Sequence, residues 1–277
     1  MRSFVTIGCW IPLLLICCGC DQLQSKSFNP ALPGYHESGR RQVILKKQLR
    51  EISGLEWLGN DSLAAINDEH GKVFIIDSET GKFTSWPFGR KGDYEDLVKV
   101  GDYFYFMESN GHIHKVSATT RQEEAIYTGE FGKHAEFESL YYDETINQLV
   151  MICKECGRDE ENIMAFSFNL AQGQFVPKPL YILSLSRIRT LGKSSSIIFK
   201  PSAAAMHPIL KKLFVLSSLG KILLQCSREG VPEKVYHLNP DQFLQPEGLR
   251  FAPNGDMYIS NEGGEGKATL EKFPYTP

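Results

Sequence analysis

The sequence predicts an all-β chain, a five-bladed β-propeller of four-stranded antiparallel blades closed by an N-terminal strand, and three observations lead there. From Gln42 onward the apolar residues come in short alternating runs such as "VFIID", "YFYFM" and "KLFVLSS", separated by Gly, Asn and Asp turns, which is the period of half-buried strands. A unit recurs along the chain: an acid or Ser, a Leu or Ala three or four places on, a turn, an apolar strand, then a polar pair and Gly. Its anchors are Glu51, Glu95, Glu138, Ser202 and Glu247, spaced 44, 43, 64 and 45 residues apart. A repeat of about 40 to 45 residues built from short strands is that of a propeller blade. The last unit has room for only three strands after Glu247. The run "RQVILKKQL" (41–49) stands ahead of the first unit as "EKVYHLN" stands ahead of the last, so it is expected to supply the missing strand and cover an open edge.

The elements follow in order. Residues 1–20, "MRSFVTIGCWIPLLLICCGC", hold a lone Arg2, an apolar run and then Gly19-Cys20, which reads as a secretory signal. The run is too short for a comfortable span of about 20 residues, and its end looks like a bacterial lipobox with Cys20 as the lipidated residue. The chain is therefore expected to attach to a membrane through a lipid, in a bacterial cell envelope, on the periplasmic or cell-surface side. Residues 21–40 are polar, rich in Pro and Gly and without periodicity, and read as a flexible tether. Residues 41–277 form the propeller domain. The 64-residue interval is too short for two blades and is read as one blade with an insertion around 186–200.

Composition narrows the function classes. The chain has 277 residues, 42% hydrophobic, and its 30 Lys+Arg against 33 Asp+Glu give a net charge of -3 with no basic tract, so nucleic acid is not an expected partner. Cys153 and Cys156 form a C-x-x-C, "CKEC", but no second C-x-x-C or close His pair completes a zinc site. They read as strand-end cysteines, open to a disulfide in an oxidising compartment, and Cys226 as a core residue.

The anchors carry the chemistry. In a blade the first strand runs along the axis and the second returns antiparallel, so the residue before the first and the residue after the second emerge on one face. This predicts an inner crown of Glu51, Glu95, Glu138 and Glu247 at one mouth of the axial channel, with Ser202 in the fourth blade, and a secondary ring of Asp68, Glu108, Glu155 and Glu262 outside it. Two unit charges about 5 Å apart at an effective dielectric near 20 repel by roughly 3 kcal/mol, so four carboxylates there need protons or a cation. Oxygen ligands at flexible distances suit Ca²⁺ better than Mg²⁺ or Zn²⁺. The plainer alternative is that each Glu caps backbone N–H groups of the next blade.

The segments "EISGLEW", "YEDLV", "FESLYYD", "KPSAAAMHP" with "KLFVLSS", and "QPEGLRFAPNGDMYISNE", taken in order, resemble the SdiA-regulated family (YjiK-like proteins) over residues 45–275. The resemblance implies a five-bladed propeller, a Ca²⁺ site at the channel mouth, an envelope location and no established activity. It carries the cation site to Glu51, Glu95, Glu138 and Glu247, while Ser202 departs from the acidic pattern.

Two functions are expected from these parts. The first is a calcium-binding propeller serving as a ligand- or partner-binding module for an unknown small molecule or protein. The second is a calcium-dependent hydrolase of a phosphate ester or lactone, with the ion polarising a carbonyl or phosphoryl oxygen. Its candidate bases are Asp68, Glu108, Glu155 and Glu262, with His70, His112 and His207 expected near the same face. No G-x-S-x-G is present, and "GKSSS" (192–196) lacks the upstream glycine of a phosphate loop. Lys154, Arg158 and Lys200 are placed to draw an anionic ligand to the mouth.

Overall fold

The computed structural model describes residue 1 and residues 32–157 and 161–277. The signal segment, Cys20, Arg158 and the first part of the tether lie outside the described residues. Blade 1 consists of β2 (Ile52–Gly59), β3 (Ser62–Asn67), β4 (His70–Asp77) and β5 (Phe83–Lys91), and blade 2 of β6 (Tyr94–Val100), β7 (Tyr103–Glu108), β8 (Ile113–Ser117) and β9 (Glu123–Tyr127). Blade 3 consists of β10 (Glu136–Asp143), β11 (Gln148–Glu155), β12 (Asn162–Asn169) and β13 (Gln174–Phe175), and a short β14 (Tyr181–Ser184) pairs with the other half of β12. Blade 4 holds β15 (Ala203–Met206), β16 (Leu213–Ser217), β17 (Ile222–Cys226) and β18 (Pro232–His237). Blade 5 holds β19 (Pro246–Phe251), β20 (Met257–Asn261) and β21 (Thr269–Phe273), and its outer strand is β1 (Arg41–Ile44).

That last pairing is the expected closure. β1 runs antiparallel to β21 in the register Arg41 with Lys272 through Ile44 with Thr269. The inner strands β2, β6, β10, β15 and β19 neighbour one another in that order, and β19 returns to β2. The five blades thus form a closed ring.

Alternation along each strand puts apolar side chains on both faces of every blade, and each blade-to-blade seam buries its own cluster. Leu55, Leu63 and Phe74 of blade 1 meet Tyr258 and Leu270 of blade 5, whereas Ile66, Val73 and Trp86 meet Leu97 and Phe106 of blade 2. Cys226 is buried in the seam between blades 3 and 4, as expected for a core residue, and burial pushes its thiol up. Cys153 and Cys156 are joined by a disulfide.

Packing starts earlier than the sequence suggests. Within the stretch read as tether, Leu32 and Tyr35 are buried in the seam between blades 4 and 5. The Tyr35 hydroxyl donates to the Gly255 carbonyl at 2.6 Å and lies 2.8 Å from Nε2 of His207. Both partners belong to turns that join first and second strands, so the chain enters the propeller on the face away from the strand starts. Gly255 adopts φ +92° in the Pro253-Asn254-Gly255 turn, a left-handed conformation that favours glycine.

The long interval between blades 3 and 4 is, as expected, one blade with an insertion. After β14 comes α1 (Leu185–Leu191), whose first turn is capped by Ser184 accepting from the Arg187 N–H, and whose Leu185 and Ile188 dip into the seam. Among the described residues no helix is long and apolar enough to cross a membrane.

Candidate functional site

Strand register decides which side chains share the mouth of the ring. Four of the five inner strands carry a bulge near their start, and β15 of blade 4 pairs without one. In blade 1 it falls at Gly54, between Ser53 and Leu55. In blades 2, 3 and 5 it falls at Glu95, at Glu138 and at Glu247. The residue after each anchor gives the alignment: a Cβ on Gly248 would meet Leu55 of the next blade, and a Cβ on Gly54 would meet Leu97 of the next. Gly54 and Gly248 are therefore equivalent, and the residue of blade 1 that matches Glu247 is Ser53.

The inner ring is thus Ser53, Glu95, Glu138, Ser202 and Glu247, three acids and two hydroxyls. Glu51, expected in the crown, is exposed and lies two residues outside it. Both serines are buried and staple blades: Ser53 Oγ donates to the Glu95 carbonyl at 2.6 Å, and Ser202 Oγ to the Pro246 carbonyl at 3.0 Å. Spacing between the leucine-type positions Leu55, Leu97, Leu140, Ala204 and Leu249 would have found this register, because that side chain packs against the neighbouring blade and cannot slip.

The secondary ring changes in the same way. Ala65, Phe106, Met151, Val215 and Ile259 face those leucine-type positions, so the residues three further on, at the mouth, are Asp68, Ser109, Lys154, Ser218 and Glu262. Asp68 and Glu262 are where the sequence put them. Glu108 sits one residue short, beside His112 and His114, and Glu155 one residue beyond, 3.4 Å from Lys200. Lys154 takes the blade 3 place and bonds Glu138 of the inner ring.

The charges of this mouth are strained by burial and by one another. Burial pushes Glu95 up to about 9, helped by the charges of Glu138, Asp93 and Glu247 and opposed by Lys154. Glu247 is pushed up to about 8 by burial and then by Glu138, and Glu262 to about 7 by burial and then by Asp68, Glu51 and Glu138. Glu138 is raised by burial even with Lys154 against it. Asp68 is raised by burial and by Glu51, and its buried Oδ1 has no hydrogen-bond partner. The groups offer hard oxygen donors, which fits a divalent cation such as Ca²⁺. Among the described residues, however, no three His, Cys, Asp or Glu side chains are grouped closely enough to hold an ion as they stand. Lys154 sits where a cation would neutralise Glu138.

Below the mouth lie acids that a repeat search misses, because they occur once. Asp96 accepts from its own Leu97 N–H at 2.8 Å and from Leu140 N–H of blade 3 at 2.7 Å. Glu56 accepts from Lys99 N–H of blade 2 at 3.1 Å and pairs with Arg250 of blade 5. For these two, the plainer reading of acids as backbone caps between blades is the observed one.

The histidines do not gather at the site. His207 is fully buried on the opposite face, where its Nδ1 accepts from the N–H groups of Ile209 and Leu210, both at 3.1 Å. Nε2 must then carry the proton and donate to Tyr35. Burial lowers this group to about 4, so it is a neutral structural histidine. His114 stands between Glu123 at 2.5 Å and Glu108 at 3.2 Å, and His70 lies 3.2 Å from Asn67.

No family model and no curated protein matches the chain. Solved structures that align over most of its length include the following two. A luciferin-regenerating enzyme is 10% identical with a TM-score of 0.52, covering 85% of this chain and 95% of its own. The glutaminyl cyclase of Myxococcus xanthus is 12% identical with a TM-score of 0.58, covering 86% of this chain and 96% of its own. At these identities the likeness is one of fold: this chain is a five-bladed β-propeller with enzymes among its structural neighbours.

Proposed function

We propose that the chain is an envelope-anchored propeller of the SdiA-regulated (YjiK-like) type, whose acidic mouth holds Ca²⁺ and presents it to a small-molecule or protein ligand. One observation supports this above the rest: Glu95, Glu138 and Glu247 occupy equivalent places in three blades, are half-buried, and the charge of Glu138 raises both Glu95 and Glu247, while among the described residues Lys154 pairs with Glu138. Three desolvated carboxylates at one mouth are costly as anions. A divalent cation with water and hydroxyl oxygens removes that cost, and Asp68 Oδ1 is a further acceptor free to bind the ion or its water.

Calcium is expected to raise the melting temperature of the metal-free protein. At 100-fold excess over Kd the gain is about 2.7 kcal/mol, or several degrees for a domain of this size. Glu95→Gln with Glu138→Gln should abolish the rise, and an unshifted wild type would refute the calcium site. One observation favours the hydrolase reading, namely Glu262, which is poised near neutrality as a base needs to be. The same preparations assayed on phosphate esters and lactones decide it: turnover must require calcium and be lost in Glu262→Gln, and silence on both classes rejects it.

The anchor and the mouth are compatible. Since the first described residues pack on the face opposite the mouth, a lipid on Cys20 would leave the mouth open to ligands. Partition into detergent should vanish in Cys20→Ser; retained partition would refute a lipid at that residue.

A further inference from the structure

A cavity opens on the mouth side between blades 3 and 4, and three cations line it where the axial ring holds acids. It measures about 110 Å³, and its cationic lining among the described residues is Lys154, Arg189 and Lys200, over buried Ile163, Leu185 and Phe199. The Cys153–Cys156 disulfide and Glu155 complete the wall nearest blade 3. Most of the opposite wall comes from the insertion that lengthens this interval, α1 and the segment that follows it. No blade needs that extra chain to complete its strands, yet it contributes Arg189 and Lys200 to one small space.

Two of the cations there pair with exposed carboxylates. Lys200 lies 3.4 Å from Glu155, and Arg189 lies 2.6 Å from Glu161, with both carboxylates more than half exposed. Ion pairs of that kind contribute about 0–1 kcal/mol, so exchanging such a partner for another anion costs little. Arg189 Nε also donates to the Ile197 carbonyl at 3.3 Å, which fixes its guanidinium at the cavity edge. Lys154 is common to the cavity and the axial ring, where it bonds Glu138.

We infer that this cavity is an anion-binding subsite that takes the phosphate or carboxylate head group of a small ligand whose remainder extends over the acidic mouth. Size supports a head group: whole drug-sized ligands fill roughly 300–1,000 Å³, and this space suits only a few heavy atoms above an apolar floor. An anion on Lys154 would compete with Glu138 for that lysine, freeing the glutamate for a cation, so metal and anion would assist one another. The inference deepens the mouth reading by naming the ligand's class, and it is tested apart from calcium.

Phenyl phosphate and benzoate are titrated into the metal-free protein with chelator present, followed by calorimetry and by line broadening of the probe signals. Saturable binding of at least one probe is expected, and the tighter one identifies the head group as phosphate or carboxylate. Arg189→Ala with Lys200→Ala should weaken binding roughly tenfold or more, since two charge-assisted contacts are lost. Glu95→Gln with Glu138→Gln should retain binding and tighten it, since Lys154 then loses its competing carboxylate, so a failed calcium site leaves this result standing. Lys200→Gln, a milder change at a partly exposed residue, should weaken binding in the same direction if the double variant does not fold. Absence of saturable binding by both probes, or binding undiminished in the folded cavity variants, overturns the subsite.

Discussion

Glu271→Ala is expected to lower the unfolding free energy by about 3 kcal/mol or more, read from urea denaturation, because it removes the central acceptor of the closing strand. The Glu271 carboxylate is fully buried in β21 and accepts from Arg40 Nε at 2.7 Å and Gln42 Nε2 at 2.6 Å. Both donors belong to the N-terminal segment that completes blade 5. Truncating one partner of a buried pair costs about 3–5 kcal/mol, chiefly by stranding the other, and Arg40 can reach some solvent, which places the effect at the lower end. Against a typical stability of about 5–15 kcal/mol this is a large fraction. The comparison is Glu79→Ala in blade 1, whose pairs with Arg41 and Lys272 of blade 5 are partly exposed and which should cost about 1 kcal/mol or less. Equal losses in the two variants would show that the buried carboxylate does not hold the latch.

The metal-free protein is expected to lose stability as pH rises from about 5 to about 9, and Glu95→Gln with Glu247→Gln should flatten that loss. Both glutamates are raised in the folded state, to about 9 and about 8, so between the unfolded and folded values the native state binds more protons than the unfolded chain. Stability from these groups is then complete below the unfolded value near 4.5 and falls as pH climbs toward the folded values. Each group contributes a slope of about 1.4 kcal/mol per pH unit while only the unfolded state has lost its proton. The glutamine variant should consequently be the more stable protein at pH 8 and show little advantage at pH 4. Parallel pH profiles in the two proteins would mean that the mouth carboxylates are not desolvated as described.

The ring, the blade count, the closing strand and the insertion were legible because each follows from a period or from a break in one. A 43- to 45-residue recurrence of short strands has few structural solutions, and a three-strand remainder needs a fourth from the other end. The placement of the mouth residues was legible only in part. Glu95, Glu138 and Glu247 were put in equivalent places through a repeated acid, but the acid was followed by residue type, and a bulge lets type and register drift apart. In "REISGL" the sequence offers Glu51 and Ser53 within three residues, and only packing of Leu55 against blade 5 shows that Ser53 faces inward. Glu108 and Glu155 misled for the same reason, each one residue from the place held by Ser109 and Lys154. Contacts made once, such as Glu56 with Arg250, Glu271 with Arg40 and His207 with Tyr35, join residues 172 to 231 positions apart in the chain. No local pattern announces such pairs.

Proton release on calcium binding tests the acidic mouth most directly. Glu95 and Glu247 hold protons at pH 7 in the metal-free ring, and an ion can coordinate them only as carboxylates. Calorimetric titration of Ca²⁺ at pH 7 in buffers of differing ionisation enthalpy counts those protons. The expected result is saturable binding with roughly one to two protons released per ion, falling toward zero at pH 10 and in Glu95→Gln with Glu247→Gln. Binding heats that do not depend on the buffer, or no saturable binding by the wild type, would contradict a cation held by these carboxylates.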